Sequence, residues 1–405
     1  MFICQQRNSN ISEILIHCCS SWMPMASLCH VSELLSAEFV LNLGIVGSVS
    51  VFTVSKRWNL LVERAWDAVK VLRLTDNAST NVSCDDDKGM CVADCTLLHW
   101  SRLPEKQKEL LPAHVQSLIL YVGTPWDIIG LTSWRDEYAA RFSSLESWAL
   151  VHVRSAGGPL EIIGEIFLGI IPVSVRQVYL QCELCIRLAF PAFPENHNIH
   201  CLAVRQPNDF QIFFREPRHC TQVTALANLC SLASEADVRR LLHVVQWCSH
   251  LQRLGLAVCE PAWSRLRDAN NAGCLGHVTV LLLGFESILE LLVEHIVEAI
   301  PRSVQLLFLR FDGSALTPCG NAGRFITELG VALRKHPHHA GMWVFVQDNN
   351  TLAVPYTQPW SWWEGPHVDM FSQLMERSLW KSPIEFIDAM GLHRWTHVDI
   401  QSSAF

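Results

Sequence analysis

The sequence predicts an α/β architecture, a curved solenoid of parallel strands and helices preceded by a small α-helical module. Three observations predict it. Three decapeptides share one pattern: LPAHVQSLIL (Leu111 to Leu120), IPVSVRQVYL (Ile171 to Leu180) and IPRSVQLLFL (Ile300 to Leu309). Their last six positions, apolar-x-x-apolar-x-apolar, recur from Val115, Leu145, Val175, Ile199, Val223, Leu251, Val278, Val304 and, more loosely, Gly341, at spacings of 30, 30, 24, 24, 28, 27, 26 and 37 residues. Spacings of this size hold one strand and one helix, and self-similarity at such a period is the signature of a repeat array. Within the units the apolar period changes from two to about 3.6, from a strand with one buried face to an amphipathic helix.

The chain opens with MFICQQRNSNISEILIHCC, where polar residues and a glutamate interrupt the apolar core that a secretory signal needs, so no export signal is read. Asn10 to Ile16 reads as a helix start, with Ile11, Ile14 and Leu15 on one face. Phe39 to Val54 is uncharged but carries Asn42, Ser48, Ser50 and two glycines. Its 16 residues fall short of the roughly 20 that a membrane span requires, so it reads as a buried helix or packed insertion. Val54 to Val62, VSKRWNLLV, with Trp66 makes a second amphipathic helix ending on an aromatic. These features define a helical module over 1–75, with an insertion at about 23–47, and an acidic, cysteine-containing linker over 76–110.

The repeat array follows over 111–350. The pairs Leu118 and Leu120, Leu254 and Leu256, Leu281 and Leu283, and Leu307 and Leu309 fit strands with one buried face. Pro159 stands where a first helical residue belongs, ahead of Ile162, Ile163, Ile166, Phe167 and Ile170. Ser234-Glu235-Ala236-Asp237 opens a helix carrying Val238, Leu241, Leu242 and Val245. Ser287-Ile288-Leu289-Glu290 has capping-box spacing, and Ile288, Leu291, Leu292, His295 and Ile296 follow at helical period until Pro301 stops the run. Short connections make consecutive strands parallel neighbours with the helices on one side. Residues 351–405, with the tryptophan-rich PWSWWEG (Pro359 to Gly365), read as a cap over the last strand.

Composition narrows the function. Of 405 residues, 50% are hydrophobic and 17% charged, so most of the chain is folded interior. A formal net charge of −8 and a pI near 6.1 provide no basic field for a phosphate backbone, which argues against nucleic acid as a partner. Sixteen cysteines scattered through apolar segments of a long chain read as reduced thiols in cytoplasm or nucleus.

Cys182-Glu183-Leu184-Cys185 with His197, His200 and Cys201 has the inventory of a zinc clamp, yet no second knuckle follows at matched spacing, so core and turn cysteines are the favoured reading. Cys84, Cys91, Cys95 and His99 form a looser set, and His336, His338 and His339 around Pro337 mark an exposed helix end. The sequence has no GxSxG elbow, no phosphate-binding glycine loop and no EF-hand, so neither an enzymatic activity, a metal nor a cofactor is expected.

The apolar pattern from Val115 to Asn350 resembles the leucine-rich repeat, Leu-x-x-Leu-x-Leu-x-x-Asn/Cys-x-Leu, with the Asn/Cys position filled only by Cys259 and Asn349. Glu13-Ile14-Leu15, then Val54, Lys56, Arg57 and Trp58, then Trp66, resemble the F-box pattern Leu-Pro-x-Glu-Ile-Leu, Val-Ser/Cys-Lys-x-Trp and a closing Trp. The chain is thus similar to the fungal-type family of F-box proteins with degenerate leucine-rich repeats. That resemblance implies a substrate-recognition subunit of an SCF-type ubiquitin ligase. The F-box would dock on a Skp-type adaptor of the cullin ligase through Ile11, Ile14, Leu15, Val54, Lys56, Arg57 and Trp58, and the repeats would hold a client protein. A solenoid scaffold without a working F-box is the alternative.

The register also locates an expected client surface. The residue between the second and third apolar positions points away from the helices: Ile119, Ala149, Tyr179, Ala203, Ala227, Gly255, Leu282, Phe308 and Phe345. The last three are large, and Arg310 and Gln347 lie beside them, so the C-terminal third is expected to offer an apolar patch with a polar rim.

Overall fold

The computed structural model describes residues 71–75, 97–99, 114–122, 141–152, 162–163, 171–180, 184–185, 199–204, 217–285, 293–311, 321–339, 341–347 and 395–398, with isolated positions elsewhere. The chain divides into two compact units, Met1–Leu160 with Gly169–Ser174, and Glu161–Leu168 with Val175–Phe405.

In the first unit, strands β1 (Val71–Thr75), β2 (Leu97–His99), β3 (Ser117–Val122) and β4 (Ser147–His152) are all parallel, in the order β2-β1-β3-β4. The alternation Val71-Leu72-Arg73-Leu74 suits a strand, and Leu72 is fully buried. The sheet therefore begins earlier than the decapeptides suggest, β1 inside the span of the expected helical module and β2 inside the expected linker. Chain order is broken here, because β2 lies outside β1 and β3 returns to its other side.

The second unit contributes β5 (Ile162–Ile163), β6 (Gln177–Leu180), β7 (Leu184–Cys185), β8 (Cys201–Val204), β9 (Ala225–Leu232), β10 (Arg253–Val258), β11 (Val280–Phe285), β12 (Leu306–Phe311), β13 (Trp343–Gln347) and β14 (Trp395–Val398). The order β6-β8-β9-β10-β11-β12-β13 follows the chain and is parallel throughout, and β14 closes it antiparallel to β13. Ile162 and Ile163 are not helical as expected. They form β5, which pairs with β7 in a separate small sheet, as two adjacent β-branched residues favour.

A repeated backbone device sets the register. The carbonyl just before each strand accepts from the next unit: Arg176 from His200 and Cys201 (2.8 and 3.1 Å), His200 from Thr224 and Ala225 (2.8 and 3.1 Å), and Thr224 from Gln252 and Arg253 (2.9 and 3.0 Å). Gln252 accepts from Thr279 and Val280, Thr279 from Gln305 and Leu306, and Gln305 from Trp343. A turn precedes each strand, with Val223, Leu251, Val278, Val304 and Met342 donating to the carbonyl three residues back. In the last unit the first apolar position is therefore Met342, which is buried, and not Gly341, which is exposed. The strand register is as the spacing expects, with Leu307 opposite Val344 and Leu309 opposite Val346. The approach to β13 is one residue shorter.

Helices α1 (Glu235–Trp247), α2 (Glu260–Asn271), α3 (Val293–Ala299) and α4 (Asn321–Lys335) pack in series, α1 on α2, α2 on α3 and α3 on α4. The capping box at α1 forms as expected: the Asp237 N–H donates to Ser234 Oγ and the Ser234 N–H to Asp237 Oδ2, both at 3.2 Å. Val238, Leu241, Val244 and Val245 are buried and Leu242 half-buried. The expected start of the helix before Pro301, at Ser287, lies outside the described residues. Pro261 in the first turn of α2, followed by Trp263, Leu266 and Ala269 on a buried face, is a helix start that the decapeptide pattern did not point to.

These helices lie on the side of Leu281, Leu283 and Phe285. Trp263 of α2 stacks on Phe285 at 6.1 Å, and Phe325 of α4 meets Phe285 edge-on at 5.5 Å. Each such ring or leucine contributes about 1.5–3 kcal/mol by leaving water. Among the described residues, no helix is long and apolar enough to cross a membrane.

Candidate functional site

The face of the second unit's sheet turned away from α1–α4 is where the sequence places a client. Its central row is Tyr179, Ala203, Ala227, Gly255, Leu282, Phe308 and Phe345, aligned by the strand register as expected. The expected open patch is not there. Phe308 is 2% exposed, Phe345 0% and Leu282 8%; the two phenylalanine rings stack at 4.9 Å, and His397 of β14 meets Phe345 at 5.7 Å. Arg310 is half-buried, and Gln347 pairs through its backbone with Trp395, its side chain lying outside the described residues.

The physical reason is that the strands are buried on both faces. Val280-Leu281-Leu282-Leu283 and Leu306-Leu307-Phe308-Leu309 are unbroken apolar runs, the pattern of parallel strands covered on each side. Reading only alternate positions hid that signal.

A polar cluster sits in this face among apolar neighbours. Cys201, Ala225 and Arg253 occupy one row on β8, β9 and β10. Arg253 is 4% exposed, and its Nη2 donates to Cys201 Sγ at 3.3 Å, reaching past the small side chain of Ala225. Burial pushes the Cys201 thiol up, opposed by the Arg253 charge and by hydrogen bonds with Thr224 and Arg253. The result is a protonated thiol serving as a partner for a buried guanidinium, an arrangement that satisfies polarity without creating a nucleophile. The signal for it was a single arginine at a strand position filled by cysteine and alanine in the two units before it.

Of the other candidates, Cys182 and His197 and the side chain of Cys185 lie outside the described residues, while His200 contributes its backbone to the strand ladder. At the turn after α4, His336 and His338 are exposed but His339 is buried, with its ring 5.9 Å from that of His336. Burial first, and then repulsion from His336, His338 and Arg302, lowers the pKa of His339 to about 4, against a hydrogen bond to the Val297 backbone.

The expected adaptor contacts Ile11, Ile14, Leu15, Val54, Lys56, Arg57 and Trp58 lie outside the described residues. Within the same segment Leu60 and Glu63 are described; both are helical, and Leu60 is 55% exposed. Compared with protein-family models and with curated proteins, the sequence finds no match.

Proposed function

We propose that this chain is a substrate-recognition subunit of an SCF-type ubiquitin ligase. It binds a Skp-type adaptor through its N-terminal F-box-like segment and a client protein through its leucine-rich-repeat-like array, and it acts by positioning. The observation that carries the reading is the unit-by-unit carbonyl ladder from Arg176 to Gln305, in which each successive strand joins the edge of the one before. Edge-on growth of this kind is how repeat proteins build long surfaces for protein partners. Because Leu282, Phe308 and Phe345 are buried, client contact falls to the rim of the array, with Arg310 at its border, and not to the sheet face. The adaptor half rests on the sequence pattern around Glu13 and Trp58, supported by Leu60, a helical apolar residue that is exposed.

A second reading has its own support. Strand β1 starts at Val71, close behind Trp66, and is built into a sheet, as it would be if the preceding segment caps a scaffold. Affinity purification of the tagged full-length chain separates the two. The ligase reading expects the Skp-type adaptor and a cullin to co-purify, and both to be lost in a Trp58→Ala variant that retains the wild-type melting curve. Recovery of other partners without adaptor or cullin supports the scaffold.

A further inference from the structure

Cys220 and Cys248 occupy the same place in two successive units. Cys220 ends the short 3-10 turn Pro217–Cys220, and Cys248 is the residue that closes α1. The carbonyl of each accepts the N–H of the residue three positions on, Val223 and Leu251, at 3.0 Å in both cases. Beyond these turns, Ala225 and Arg253 are direct partners in the β9–β10 register. Residues paired across neighbouring strands lie roughly 4.8 Å apart, and each cysteine precedes its member of the Ala225–Arg253 pair by the same five positions. A disulfide needs Cα atoms about 4.4–6.8 Å apart. Both side chains are fully buried, and the two thiols interact electrostatically. Cys201 is buried as well, but Arg253 engages it.

We propose that Cys220 and Cys248 form a dithiol that closes to a disulfide, stapling two successive units, when the chain meets a disulfide oxidant of the glutathione class. The thiolate of one cysteine attacks a sulfur of oxidised glutathione, making a mixed disulfide and expelling one glutathione thiolate. The second cysteine then attacks the protein sulfur of that mixed disulfide and expels the other glutathione. One S–S bond breaks and one forms, the two cysteine protons end on two glutathione thiols, and two electrons pass from the protein to glutathione. Interaction with Cys220, together with burial, pushes the Cys248 thiol well above its ordinary pKa, so this thiol is inert in the folded chain. Attack therefore begins when this turn opens or while the chain folds, and the native turn then aligns the second step.

The test uses the full-length chain. It is incubated with oxidised glutathione in mild urea, acid-quenched, alkylated and digested without reductant. The expected product is a peptide pair joined through Cys220 and Cys248, lighter by two thiol hydrogens, and at least about tenfold more abundant than any other cysteine pair, as pre-alignment demands. Dithiothreitol should convert it to two free peptides, and the oxidised chain should melt at a higher temperature than the reduced one. Cys248→Ala, which keeps the site small and apolar, should lose both the linked pair and the melting shift. Recovery of Cys220 and Cys248 as separate alkylated thiols or glutathione adducts, or joined mainly to other cysteines, overturns the proposal. So does a melting shift that survives in Cys248→Ala.

Discussion

Phe308 marks how a single residue changes role between pattern and fold. From alternation alone it faces away from the helices, which is correct, but the other face is also closed and its ring is stacked on Phe345. Phe308→Ala should cost about 3–5 kcal/mol in denaturant unfolding, the usual range for a buried aromatic. Phe308→Asp should remove the cooperative transition of the second unit altogether. A folded Phe308→Asp chain would falsify the core assignment. Arg253 was illegible for a different reason: its partner, Cys201, is far away in sequence, and only the strand register puts the two in one row. His339 gives a pH prediction. Its folded pKa of about 4 lies below the ordinary 6.5, so between these values the unfolded chain takes up a proton that the folded chain refuses. Stability should be unaffected by this group above pH 6.5, fall as the pH drops towards 4, and level off below, for a total of at most about 3 kcal/mol. Urea unfolding of wild type and His339→Leu across that window checks it: the variant should lose stability less steeply, and parallel pH profiles would exclude the role.

At the level of the element, local chemistry was readable and long-range pairing was not. The Ser234 to Asp237 capping box lies within four residues, and the helix it starts is the one expected. Ser234→Ala should lower stability by about 1 kcal/mol, measurable as a shift in urea midpoint at unchanged slope. Ile162 and Ile163 show the opposite case. Nothing nearby announces that they pair with Leu184 and Cys185, so helical periodicity misled. At β9, Asn228 stands where a third apolar residue belongs, and the strand there contains a bulge: Leu256 is opposite Asn228, but Ala257 is opposite Ser231. The misfit residue was visible in sequence; the bulge that lets Leu232 return to the core was not.

For the whole molecule, the recurrence of apolar positions carried the parallel order of β8 to β13, because each unit touches its neighbours in sequence. It did not carry the ends of the array. Strands β1 and β2 lack the decapeptide and sit out of chain order, and β14 closes β13 from the far end of the chain. Since β14 takes up the edge of β13, deleting residues from 390 on should leave that edge open and drive concentration-dependent self-association in light scattering. Unchanged monomer size would show that β14 is dispensable as a cover. The proposed function assigns a Skp-type adaptor to the N-terminal segment and a client to the rim of the array. Calorimetric titration of a purified Skp-type adaptor into the full-length chain bears on them without intermediaries. The proposed function predicts saturable one-to-one binding that Trp58→Ala abolishes while its melting curve stays in place. Absence of heat and of complex with the folded wild-type chain would contradict it.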